Sequence, residues 1–227
     1  MKKQAVALAL LGGGLIFLAL QTGRWGWPLM WLAADFAILS AAYMAGCHRV
    51  FGKRPDGTLP FWSWCVFLPF LAYTYFVWLL ILNITREPAL NEVSDTLIVG
   101  RRLRSNEMPT GLTNYVDLTA EFPEPTSIRT SNGYVNFPIL DAGVPAPQAL
   151  HKMVTSLKPG RTFIHCAQGH GRTGLFALAV LLASRKVSTV EDGLRLLQSA
   201  RPGIRLNAAQ QRCIEGYARL FSQGGVA

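Results

Sequence analysis

The chain has 227 residues, of which half are hydrophobic and 15% are charged, and it carries a net charge of +9. Soluble domains run at about 25% charged residues, which excludes an ordinary soluble protein along the whole length. Four cysteines without CxxC spacing point to neither a zinc site nor a disulfide framework.

Residues 1–86 hold seven Lys/Arg and two acids, Asp35 and Asp56, in gaps between apolar runs. Three such runs are expected to be transmembrane helices, over residues 5–20, 27–46 and 60–83. A span needs about 20 residues, with about 17–25 tolerated, so the first run is slightly short. Lys2 and Lys3 before it also fit a signal peptide, but no A-x-A-like cleavage site follows, which favours an uncleaved helix. Tryptophans 25, 27, 31, 62, 64 and 78 suit interfacial positions. Asp35 is expected to hydrogen-bond between helices, with Tyr73 or Tyr75 as partner. Lys2, Lys3, Arg49, Lys53 and Arg54 place the N-terminus and the 47–59 loop in the cytoplasm. Three crossings of a bacterial inner membrane then put the remainder in the periplasm. Arg86, Arg101, Arg102 and Arg104, close behind the third run, argue for the cytoplasmic alternative.

The polar stretch 87–96 reads as a linker, and 97–227 as one catalytic domain large enough for an ordinary core. Strands are expected at 96–99, 115–118, 134–140 and 161–165, with a tight turn at Asn132-Gly133. Helices are expected at 146–157, from 173 onward, at 188–199 and at 207–221. Alternating strands and helices imply an α/β domain, a central sheet flanked by helices. The arginine cluster 101–104 lacks interleaved aromatics, so nucleic acid is not an expected partner; anionic lipid or a phosphorylated substrate suits the charge better.

The decisive segment is His165-Cys166-Ala167-Gln168-Gly169-His170-Gly171-Arg172-Thr173-Gly174. A strand, a loop with two glycines and a helix N-terminus form an anion nest of inward-pointing amides. Cys166 sits at its floor, where the thiolate is favoured. Arg172, six residues on, can hold two phosphate oxygens with its planar fork. Residues 167–171 bind the phosphate and Cys166 presents a nucleophile to phosphorus. Metal and cofactor are not required.

This His-Cys-x5-Arg-Thr-Gly pattern resembles the signature loop of the cysteine-dependent protein tyrosine phosphatase superfamily. Residues 97–221 resemble its compact dual-specificity branch, with Val116-Asp117-Leu118, Arg201-Pro202 and Asn207-x-x-Gln210 in matching places. The resemblance implies a phosphocysteine on Cys166, a general acid upstream of the loop, and Thr173 as hydrogen-bond donor to the departing thiolate. Asp141, 25 residues before Cys166 and followed by Gly143 and Pro145, fits the acid; Asp117 competes but lies within a strand. The resemblance gives His165 a loop-supporting role. His170 is either a pocket charge or a solvent-facing loop residue. Asn207 and Gln210 either position the hydrolytic water or serve as surface or capping residues. Cys213 is a buried free thiol unless the fold brings it to Cys166.

Three functions are open: a phosphatase acting on phosphoprotein, a lipid phosphatase, and a phosphate-binding module without turnover. Inositol-lipid enzymes of the family often carry lysines within the signature, where this chain has Ala167 and His170. That leaves simpler lipids, of the phosphatidylglycerophosphate or polyprenyl phosphate kind. Oligomeric state is left open.

Overall fold

The computed structural model describes residues 2–222; residues 223–227, which end the expected catalytic domain, lie outside the described residues. Helices α1 (Lys2–Gln21) and α2 (Trp27–Ala45) form a hairpin through a 3-10 turn at Gly23–Gly26. Their backbones approach closely through small residues: a Cβ on Gly26 would meet the Ala19 carbonyl at 2.3 Å. Helix α3 (Phe61–Ile84) follows. All three are long and apolar enough to cross a membrane.

Pro69 lies inside α3, and Phe67 leaves helical geometry (φ −102°, ψ 15°). Proline removes a helix donor and its ring pushes the preceding turn aside. Beside the kink, two α3 backbone groups are met by side chains of α2. Trp31 Nε1 donates to the Val66 carbonyl at 2.8 Å, and the Phe70 amide donates to Asp35 Oδ2 at 3.4 Å. Asp35 therefore serves the kink backbone and not Tyr73 or Tyr75. Trp78 is 3% exposed and packs on Phe122, so it is not an interfacial tryptophan.

The sheet comprises β1 (Leu90–Ser94), β2 (Leu97–Arg101), β3 (Asn114–Thr119), β4 (Tyr134–Ile139) and β5 (Thr162–Cys166), in the order β1-β2-β5-β3-β4. β1 runs antiparallel to β2, and the other pairs are parallel. Helices α4 (Thr126–Arg129), α5 (Pro147–Thr155), α6 (Gly171–Ala183), α7 (Val190–Ala200) and α8 (Ala208–Tyr217) complete the domain, and a π turn follows at Ala218–Ser222. Alternation with period two sends Val99, Val116, Ile164 and Cys166 into a core around α6, while Ile98, Tyr115 and Phe163 face a second cluster. Both faces are covered, as parallel strands require. The stretch expected as a linker instead carries β1. An edge strand is half-exposed and so can be as polar as Leu-Asn-Glu-Val-Ser, which hides it from a composition reading.

The 47–59 loop docks onto this domain. Lys53 reaches Asp117 and Thr119 as a buried ion pair. His48 accepts from the Leu140 amide at 3.2 Å and donates through Nε2 to the Val144 carbonyl at 2.8 Å; burial lowers its pKa and keeps it neutral. Asn136 donates to the Arg54 carbonyl, and the Glu124 amide to Gly57. Phe51, 2% exposed, joins Ala5, Leu39, Ala120 and Leu140 in one cluster. The first 86 residues thus share a core with the catalytic domain.

Candidate active site

β5 ends at Cys166 and α6 begins at Gly171, so the connecting loop curls at the C-terminal edge of the parallel strands. Gly169 makes the curl possible: its φ is +76°, and a Cβ there would meet the Gly100 carbonyl at 2.3 Å. The first amides of α6 have no intrahelical partners and carry the positive end of its dipole. Cys166 is 4% exposed, and its Sγ accepts from the Gly169 amide at 3.3 Å.

The loop is braced from behind by Arg201, which is 1% exposed. It donates to the carbonyls of Gln168 (2.9 Å), Gly169 (3.0 Å) and Pro88 (2.8 Å), and to Asn91 and Glu87 (2.8 Å each). With those carbonyls turned toward Arg201, the amides of residues 167–171 are left for the cradle. His170 bonds Glu87, which Arg201 also holds, at 2.8 Å, and lines the cleft described below. His165 lies wholly buried beneath, stacked on Phe163 and edge-on to Tyr115. Burial, opposed by the charge of Asp117, brings its pKa down to about 4, so it is neutral at physiological pH.

Arg172 is 2% exposed. Glu121 grips it bidentately, Nη1 to Oε2 at 3.0 Å and Nη2 to Oε1 at 2.8 Å, and Nη1 also donates to the Ile139 carbonyl at 3.0 Å. Asp141 Oδ1 lies 3.2 Å from Nη2, with its side chain 76% exposed. The loop therefore brings Cys166, Arg172 and Asp141 together, with Glu121 as a fourth group that no spacing in the sequence marks. Among the described residues, Arg172 Nε and Thr173 Oγ1 are buried donors without a partner.

Asp117 is wholly buried, with Lys53, Thr119 and Tyr134 as its partners. Burial raises its pKa, but the ammonium of Lys53 and the hydrogen bonds from Lys53 and Thr119 outweigh that, and the net shift is downward. Asn207 caps α8 and donates to the Ala142 carbonyl at 3.0 Å, while Gln210 closes the capping box and reaches Gly143 at 3.4 Å. These contacts engage all four side-chain polar atoms. Both residues therefore hold the Asp141 loop, and both line the cleft above Cys166. Cys213 donates to the Pro145 carbonyl at 3.5 Å, and both it and Cys166 are free thiols. Asp117, Glu124 and His165 place ligand atoms within 4.8 Å of one another; Lys53 lies against Asp117 and Arg102 against Glu124.

A cleft of about 680 Å³ opens above Cys166 and Arg172. Its floor is the loop with Asp141, Arg205, Asn207 and Gln210; its opposite wall is Leu8 of α1, Leu39 and Tyr43 of α2, and Phe70, Val77 and Ile81 of α3.

The sheet order and the helices around the cradle have the fold of the compact dual-specificity phosphatases. No family model matches the chain. The tyrosine phosphatase-like protein 067L of Invertebrate iridescent virus 3 is 27% identical over 133 residues, 49% of this chain and 55% of that one. The chain thus spans about half the length of the curated relative it matches. Among solved structures, Tk-PTP in its active form aligns at TM-score 0.52 with 20% identity, over 58% of this chain and 97% of that one. PTPMT1 in complex with PI(5)P aligns at 0.55 with 14% identity, over 61% and 100%. Human DUSP28 aligns at 0.50 with 17% identity, over 59% and 95%. At such identities these likenesses establish the fold.

Proposed function

We propose that this chain is a membrane-anchored phosphatase that forms a phosphocysteine on Cys166 and takes lipids ending in a phosphate monoester. The Cys166 thiolate attacks phosphorus; the P–S bond forms as the P–O bond to the lipid breaks, and Asp141 gives its proton to the leaving oxygen. The loop amides and Arg172 hold the equatorial oxygens as charge shifts. Asp141, now a carboxylate, takes a proton from water as that water attacks phosphorus. The P–S bond then breaks, inorganic phosphate forms, and Thr173 donates to the returning thiolate. Glu121 fixes the Arg172 fork, and Arg201 and His165 hold the loop.

The observation that carries the lipid reading is the cleft, whose wall opposite the nucleophile is made of three apolar helices. A phosphate on the loop directs its ester group toward that wall, where an acyl or prenyl chain is buried at about 0.8 kcal/mol per methylene. The PI(5)P complex of PTPMT1 supports a lipid in this fold. The tyrosine phosphatase naming of the viral relative favours the phosphoprotein reading.

The test is a substrate panel on the full chain in detergent, comparing phosphopeptides with lipid monophosphates of increasing chain length. Turnover that rises with chain length and vanishes in Cys166→Ser is expected. Flat chain-length dependence with efficient phosphopeptide hydrolysis would replace the lipid reading by the phosphoprotein one. Undiminished turnover in Cys166→Ser would end both.

A further inference from the structure

We infer that α3 does not cross the membrane: it lies along one leaflet over the active site, and only the α1–α2 hairpin crosses, leaving the catalytic domain in the cytoplasm. Three crossings would separate the 47–59 loop from the catalytic domain by a bilayer about 30 Å thick. The structure joins them. Immediately before α3, Lys53 is buried on Asp117, and Gly57 accepts from Glu124. Immediately after it, Glu87 and Pro88 accept from Arg201. In between, Trp78 packs on Phe122. A helix stapled to one domain before, along and after its length has both ends on one side.

Twenty-four residues make a helix about 36 Å long. The helix starts beside β3 and β4, where Asn136 holds Arg54, and its chain runs on into β1 at the opposite edge of the sheet. The chain thus crosses from one edge of the sheet to the other through α3. Ser63, Phe67, Leu71 and Trp78 form its buried face, while Phe61, Leu68, Phe76 and Leu80 are exposed. That outer face is apolar and continuous with the hairpin, so its occupant is the lipid leaflet itself.

Charge fixes the side. Lys3, Arg49, Arg54 and Arg86 now share one face of the membrane and Arg24 alone marks the hairpin turn, which is the cytoplasmic-in arrangement. The arginines behind α3, discordant with three crossings, become concordant with two.

The inference rests on α1 and α2 being membrane-embedded, which carbonate-washed membranes check first: release into the wash refutes anchoring, independently of topology. The parent chain keeps Cys166 and carries Cys47→Ser, Cys65→Ser and Cys213→Ala; its turnover reports folding, and if it is inactive the buried Cys213 is restored. Single probes are then added: Cys47 restored, Thr22→Cys in the hairpin turn, and Lys158→Cys on the catalytic domain. With a membrane-impermeant maleimide, Thr22→Cys should label in intact cells, and the other two only in inverted vesicles. Labelling of Cys47 and Lys158→Cys from opposite sides restores three crossings and overturns the inference. Labelling of Thr22→Cys from the same side as both removes the hairpin crossing and also overturns it.

Discussion

Replacing Lys53 by Met tests whether the loop after α2 is part of the catalytic core. Lys53 and Asp117 have side chains 1% and 0% exposed, and the ammonium also bonds the Thr119 carbonyl and hydroxyl. Removing one partner of a buried pair costs about 3–5 kcal/mol, because the other charge stays behind unpaired. Asp117 retains Tyr134 and Thr119 as donors, which places Lys53→Met at the lower end, about 3 kcal/mol. At about 2–4 °C per kcal/mol for a chain of this size, the melting temperature should fall by about 6–12 °C. Asp117→Asn alone strands the ammonium and should cost a similar amount. The double variant should cost less than the sum by about 2 kcal/mol, since neither charge is then left alone. Thermal unfolding of the four proteins in one detergent measures the cycle. A Lys53→Met melting temperature within a degree of the parent, or strictly additive single effects, would refute the docked loop.

Glu121→Gln keeps the shape of the Arg172 clamp but removes its charge, and a charge-assisted bond contributes about 1.5–3 kcal/mol. Turnover should drop about 10–100-fold, and an unchanged kcat would deny Glu121 its orienting role. Asp141→Ala should lower turnover of alkyl phosphates by about 100–10,000-fold and that of an activated aryl phosphate far less. Equal losses on both would remove Asp141 as the acid. His165 titrates near 4 when folded, against an ordinary value of about 6.5. The unfolded chain therefore takes up more protons between those values. Stability is fully present above about pH 6.5 and falls by about 3 kcal/mol as pH drops toward 4. Melting temperatures across that window should decline in the parent and flatten in His165→Gln; equal slopes would assign the acid lability elsewhere.

The phosphate loop was legible because its parts are close in sequence: a strand, two glycines, and an arginine six residues after the cysteine. The place of Asp141 beside Arg172 was legible through its neighbours, a strand end before it and Gly143 and Pro145 after it. Glu121 was not, because it lies 51 residues from Arg172 and nothing in its own surroundings marks it. Lys53 lies 64 residues from Asp117 and, in sequence, is one cation in a loop; the positive-inside rule counts such a charge without asking what it is paired with. The Asp35 partner is signalled only indirectly, since Pro69 in an apolar run frees backbone groups but no spacing says that Asp35 meets them. β1 was missed because an edge strand needs only one good face.

The segment between β3 and α4 shows why the N-terminal helices and the α/β domain form one structure. Ala120 sits in the cluster with Ala5, Leu39 and Phe51. Glu121 holds Arg172, and Phe122 packs on Trp78. The Arg102 guanidinium lies 5.0 Å from the Trp78 ring centroid, donates to the Pro123 carbonyl at 2.6 Å and pairs with Glu124 at 3.0 Å. The position of Arg172 is thus set through Glu121 by α3 and the 47–59 loop. A fragment of residues 87–227 keeps the signature loop but loses Phe51, Lys53 and Trp78 together. It strands the Asp117 carboxylate and bares Ala120, Phe122 and Leu140. Such a fragment in the same detergent should lose most of its turnover on a soluble aryl phosphate, which needs neither bilayer nor lipid chain. Full turnover by the fragment on that substrate would show that Glu121 and Arg172 align unaided, and that the helices act on substrate delivery alone.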